Sequence, residues 1–155
     1  MTFIVDTNVL VVANDRESPQ APPHCVVACA NRLRDIAADG RLALDDAGTI
    51  LDEYKRYSNW HGQPGVGDAF FKWVVNNLWN AERCDRIGIT LDGGSFAEFP
   101  KDPRLVDFDL ADRKFVAVAA AHPDRPPIVQ AVDRKWTAFT PALAECGIIV
   151  HFLCS

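Results

Sequence analysis

Short apolar runs alternate with longer stretches of helical periodicity along the whole chain, and that alternation constrains its fold most strongly. Phe3-Ile4-Val5 ends at Asp6-Thr7-Asn8, and Val9 to Ala13 continues apolar: a buried strand leading through a turn into a helix start. From His24 to Ala38, Val26, Val27, Ala30, Leu33 and Ile36-Ala37 recur at helical spacing, and Asp39-Gly40 ends that helix. Arg41 to Leu44 reads as a brief strand. Asp45-Asp46 then offers acceptors to cap a helix carrying Ile50, Leu51, Tyr54 and Tyr57. Asp85 to Thr90 reads as a strand, Leu110 to Ala121 as a helix and Ile128 to Val132 as a strand. Thr137 to Cys146 reads as a helix capped by Gly147, before a final strand from Ile148 to Leu153. Strands alternating with helices indicate βαβ units and an α/β fold with a mostly parallel sheet.

The connections are equally marked. Pro19 to Pro23 is a proline-rich loop, Ser58 to Gly67 is the clearest loop, and Asp92 to Pro103 is rich in turn residues. Between them, Asp68 to Leu78 predicts a helix rich in aromatics (Phe70, Phe71, Trp73). A length of 155 residues fits one domain over 1–155 with a substantial core. With 48% hydrophobic and 24% charged residues the composition is that of a soluble globular protein. No apolar run reaches the roughly 18 residues of a membrane span, and the opening residues do not form a signal peptide. The expectation is a cytoplasmic protein without membrane contact. Five cysteines at no framework spacing are then expected as reduced thiols. The net charge of −5 argues against diffuse electrostatic attraction to nucleic acid. Either nucleic acid is not the partner, or the acidity is concentrated where metal ions neutralise it.

In parallel sheets, ligands bind beyond the carboxyl ends of the strands. Three segments deliver carboxylates to that edge. Asp6 follows the first strand, Asp107, Asp109 and Asp112 surround the start of the long helix, and Asp133 follows the strand ending at Val132. Glu53 sits within the second periodic helix, facing either inward or outward. Asp109 alone is equally well a helix cap, and Asp133 alone is an ordinary turn residue. Asp6 is different: it interrupts an apolar run, and a buried carboxylate needs a metal, a base or a donor. Converging carboxylates repel one another without a cation. Oxygen donors with no convergent His or Cys favour Mg²⁺ or Mn²⁺ over zinc. Such an ion activates water and stabilises charge on a phosphate, so phosphodiester hydrolysis is the chemistry expected.

The residues that carry this pattern resemble a known family. Phe3-Ile4-Val5-Asp6-Thr7-Asn8-Val9-Leu10 is similar to the opening of PIN domains, in which the first metal-binding aspartate ends strand one. Asp109 to Ala119 resembles the family's Asp-x-x-Asp-x-Lys-Phe helix, and Val132-Asp133-Arg134-Lys135 its next strand end. Ile50 to Tyr54 resembles the helix whose glutamate faces the site. The resemblance spans essentially the whole chain in order. It implies a Rossmann-like three-layer α/β/α PIN domain and a Mg²⁺- or Mn²⁺-dependent ribonuclease. It also implies the toxin role of a toxin–antitoxin pair, with an antitoxin protein as partner, and pairing into a homodimer. Carried over, Asp6, Glu53, Asp112 and Asp133 form the acidic, metal-holding quartet, with Asn8 and Asp109 in support.

Arg113-Lys114 and Arg134 follow proposed ligands. Cations at a helix start oppose the macrodipole, so phosphate contact is one reading and solvated side chains the other; Lys114 points away from the face shared by Asp112, Phe115 and Ala119. His24 with Cys25 and Cys29 lacks a second thiol pair for zinc, and core packing is the expectation. His61, beside Trp60, is a candidate for stacking on nucleic acid. Lys135, where many relatives carry a second acidic residue, and the net acidity support an alternative: a catalytically silent PIN-fold module binding RNA or a protein. A phosphatase of the haloacid-dehalogenase kind would want Asp-x-Asp where this chain has Asp6-Thr7-Asn8.

Overall fold

The computed structural model describes residues 1–15, 21–132 and 134–154. The central sheet contains β1 (Thr2–Val5), β2 (Arg41–Asp45), β3 (Cys84–Ile87), β6 (Ile128–Gln130) and β7 (Val150–Phe152). Its order is β3-β2-β1-β6-β7, and every pairing is parallel. Parallel strands are buried on both faces, which is why Leu42, Ala43 and Leu44 of β2 and Ile128 and Val129 of β6 are apolar without alternation. Helices α1 (Thr7–Asn14), α2 (Pro23–Asp39), α3 (Thr49–Arg56), α4 (Val66–Asn77) and α5 (Arg113–Ala121) flank the sheet. The result is an α/β fold of the three-layer type. No helix among the described residues is long and apolar enough to cross a membrane.

Helix α5 packs along β1, β2 and β6. Phe115, Val116, Ala117, Val118 and Ala119 are all completely buried, as a helix apolar on every side requires. Helices α1, α2 and α4 pack on one another. At Gly67, a Cβ would stand 2.2 Å from the Leu10 carbonyl oxygen, so only glycine allows α4 to approach α1 this closely.

Three sequence expectations are corrected. The turn-rich stretch contains a small antiparallel hairpin, β4 (Leu91–Asp92) and β5 (Ser95–Phe96), turning at Gly93 with φ +64°. The expected helix from Thr137 to Cys146 is two pieces, α6 (Arg134–Thr137) and α7 (Thr140–Glu145), because Pro141 starts a new first turn. Gly147 follows α7 with φ +83°, the left-handed conformation of a helix terminator. The expectation of reduced thiols fails at two positions: Cys25 and Cys154, 129 residues apart in sequence, are joined as a disulfide. Cys29, Cys84 and Cys146 remain thiols, and burial pushes those of Cys29 and Cys84 up to about 12 and about 11, respectively.

Behind β2 and β3, Asp85 receives Arg41 on one oxygen, while its other oxygen stands 2.9 Å from His122 Nε2. Burial alone would raise the Asp85 carboxyl, but these hydrogen bonds outweigh it and hold the group below its ordinary 3.8. A depressed carboxylate contributes stability that is present above its unfolded-state value and lost as pH falls through the folded-state value. Stability should therefore decline below about pH 4, and Asp85→Asn should lack that part of the decline. Urea unfolding between pH 2 and 6 checks this; identical acid slopes for both proteins would refute it.

Candidate active site at the sheet switch point

The chain runs outward from β1 to β2 and β3, then returns to the other side of β1 as β6 and β7. This reversal opens a crevice at the carboxyl ends of β1 and β6, where open α/β sheets bind ligands. Asp6 sits there, only 6% exposed at the end of β1. Its Oδ2 accepts the Asn8 amide at 3.0 Å and caps α1. Asn8 reaches across the crevice: its Oδ1 accepts the amide of Ala131, just past β6, at 3.4 Å.

Glu53 on α3 faces inward. The Thr7 hydroxyl donates to its Oε2, and Lys114 Nζ approaches Oε1 at 2.9 Å. Lys114 also donates to the Ala111 carbonyl. Thr7, Glu53 and Lys114 thereby tie the end of β1, α3 and the start of α5 into one buried network. Beside it, the Tyr54 hydroxyl donates to the Val5 carbonyl at 2.5 Å. Burial first, and then the charges of Asp6 and Glu53, push that phenol well above its ordinary range. Tyr54 is therefore a neutral donor that fixes the strand end preceding Asp6.

Asp112 stands at the N-terminal boundary of α5 and accepts Trp136 Nε1 on Oδ2 at 3.2 Å. Asp109 is exposed and accepts the Ala111 amide at 3.0 Å, the capping role weighed for it above. Lys135 Nζ lies 3.7 Å from Asp109 Oδ2. A groove of about 420 Å³ runs over this corner, lined by Asp107, Asp109, Asp112, Lys135 and Trp136 among others. Asp133 and the side chain of Arg134 lie outside the described residues.

The phosphate-contact reading of Arg113 and Lys114 meets a different arrangement. Arg113 is spent on the carbonyls of Val106 and Phe108 at 2.9 and 3.0 Å, and lies 4.4 Å above the Phe99 ring. Lys114 is buried against Glu53. Both cations serve the protein interior, which offsets their place at a helix start. His61 and Trp60 instead line a larger cavity of about 860 Å³ with Asn14, Arg56 and Tyr57.

Asp6 ends β1 and Asp112 opens α5, and the Thr7–Glu53–Lys114 network joins these two elements; carboxylate oxygens are the donors suited to a hard divalent ion. Both oxygens of Glu53 are engaged, so it holds Thr7 and Lys114 in place. Asp6, Glu53 and Asp112 do not close to within 4.8 Å as a trio; among the described residues that spacing is reached by Cys25, Cys29 and Cys154. Sequence reasoning missed Thr7, Tyr54 and Trp136 as parts of this site, and read Lys114 as a phosphate contact rather than as the partner of Glu53. The available signal was Arg113-Lys114, two adjacent cations opening an otherwise apolar helix. Comparison of the chain with family models, with curated proteins and with solved structures gives no match.

Proposed function

We propose that this chain is a metal-dependent endoribonuclease of the PIN type, hydrolysing RNA phosphodiester bonds at the carboxyl ends of β1 and β6. The observation that carries the reading is Asp6: a buried carboxylate at the switch point, held by Asn8 and bordered by the Thr7–Glu53–Lys114 network. Asp6 and Asp112 would hold Mg²⁺ or Mn²⁺, joined by Asp133 on the sequence pattern. A bound ion of this kind supplies an activated water and offsets charge on the scissile phosphate. The protein's own residues supply rigidity. Asn8 keeps β1 and the segment after β6 in register, Tyr54 fixes the Val5 carbonyl, and Trp136 orients Asp112. Glu53 acts as a positioning residue, its charge met by Lys114.

Asp6→Asn keeps the size of the side chain and removes its charge. It is expected to lower metal-dependent RNA cleavage at least about 100-fold, equivalent to about 2.7 kcal/mol of transition-state stabilisation, with little change in melting temperature. Full activity in this variant would sink the proposal.

One observation favours a second reading, a catalytically silent PIN-fold binding module. The Lys114 ammonium already neutralises Glu53, a position assigned to the metal-holding quartet on sequence. That reading predicts no cleavage of any RNA and no binding of Mg²⁺ or Mn²⁺ at millimolar concentrations.

A further inference from the structure

Cys25 and Cys29 are one turn apart on α2 and share a face of the helix. Cys154 meets them from the other end of the chain. Its amide donates to the Ala131 carbonyl at 3.1 Å, and the preceding Leu153 amide donates to Gln130 at 2.8 Å, so the last turn of chain is fixed against β6. The three sulfurs all lie within 4.8 Å of one another. None of the three residues is more than 6% exposed.

In the structure two of these sulfurs are bonded to each other and Cys29 remains a thiol. One disulfide needs two cysteines, so the third sulfur is unexplained by the clasp. A single ion at the usual metal–thiolate distance of about 2.3 Å holds three sulfurs about 4 Å apart in a trigonal plane. The observed cluster lies within a small side-chain adjustment of that spacing. Among the described residues the group includes no histidine or carboxylate. Three soft donors without a fourth suit a three-coordinate soft cation better than tetrahedral zinc. Cys25 also lies in the first turn of the 17-residue α2, where the helix dipole favours a thiolate.

We propose that Cys25, Cys29 and Cys154, once reduced, form a trigonal thiolate site for a soft cation of the copper(I) class. Two equivalents of a thiol reductant give two electrons and two protons to the Cys25–Cys154 bond and leave as their own disulfide. The three protein thiols then lose their protons as the cation takes their place. The site replaces the disulfide as the link between α2 and the end of the chain, and it is independent of the nuclease reading.

The test uses the full chain carrying Cys84→Ser and Cys146→Ser, which removes the other thiols. The protein is reduced with dithiothreitol, freed of it anaerobically, and titrated with copper(I) held by the coloured chelator bicinchoninate. One equivalent of copper should pass from chelator to protein, and Cys29→Ser should weaken that transfer at least ten-fold. The oxidised Cys29→Ser protein should still show its Cys25–Cys154 disulfide by mass, confirming an intact clasp. Cys29→Ala, which keeps the position apolar, gives the same reading if serine disturbs packing. No transfer of copper, or equal affinity with and without the Cys29 sulfur, would overturn the proposal.

Discussion

Lys114→Met is expected to destabilise the protein by about 3–5 kcal/mol, the cost of breaking a buried ion pair from one side. The side chains of Lys114 and Glu53 are only 7% and 15% exposed. Methionine fills the space of the lysine stem but leaves Glu53 with the Thr7 hydroxyl as its sole neighbour of those described above. A carboxylate so placed is desolvated without a compensating charge. Replacing both members by neutral groups of similar shape removes that penalty, so Glu53→Gln combined with Lys114→Met should recover most of the loss. Urea unfolding of the wild type, both single variants and the double variant closes the cycle. A Lys114→Met loss below about 1 kcal/mol, in the range of an exposed pair, would show that the network is not buried in solution.

The second large effect lies on the opposite flank of α1. Asp68→Ala should cost about 3 kcal/mol or more, because the carboxylate is fully buried and gathers three donors, one from α1 and two from the loop between Ser58 and Gly67. Its Oδ1 accepts the Asn59 amide at 2.7 Å and Asn14 Nδ2 at 3.3 Å, and its Oδ2 accepts the Gly65 amide at 3.0 Å. The Asp68 amide in turn donates to Asn14 Oδ1 at 2.8 Å. Alanine leaves the buried Asn14 amide without this acceptor, releases the Asn59 and Gly65 amides, and removes a charge favourable to the first turn of α4. Asp68→Asn should be milder, since one acceptor oxygen survives. Thermal and urea unfolding measure both; an alanine variant within about 0.5 kcal/mol of wild type would contradict the assignment.

The contrast between these two networks marks what a sequence alone carries. Asp6 was legible because it breaks a buried apolar run at the end of a strand, and a local pattern of that kind survives into the fold. The α5 helix was legible for the same reason, since its apolar residues leave no exposed face. Asp45 was legible as a cap, and it accepts the amides of Thr49 and Ile50 at 2.8 Å each. Glu53 was not: whether it faced inward depended on Thr7 and Lys114, which are 46 and 61 residues away. Asp68 and Gly67 likewise show their purpose only against Asn14 and Leu10 of α1, so the stretch from Ser58 to Arg83 was legible as a loop and a helix but not in what its residues hold. Cys154 reaches Cys25 only because β7 pairs with β6. The β4–β5 hairpin was half legible, as Asp92 to Pro103 was read as turn-rich while its two-residue strands were too short for periodicity.

We propose that the switch-point carboxylates form a metal-dependent nuclease site. The most direct measurement is cleavage of a mixed single-stranded RNA pool by folded protein with Mn²⁺, Mg²⁺ or EDTA, alongside Asp112→Asn. Cutting is expected with either metal, none in EDTA, and loss of cutting in the variant. Metal-independent cutting, cutting that survives Asp112→Asn, or no cutting by the folded wild type would contradict it.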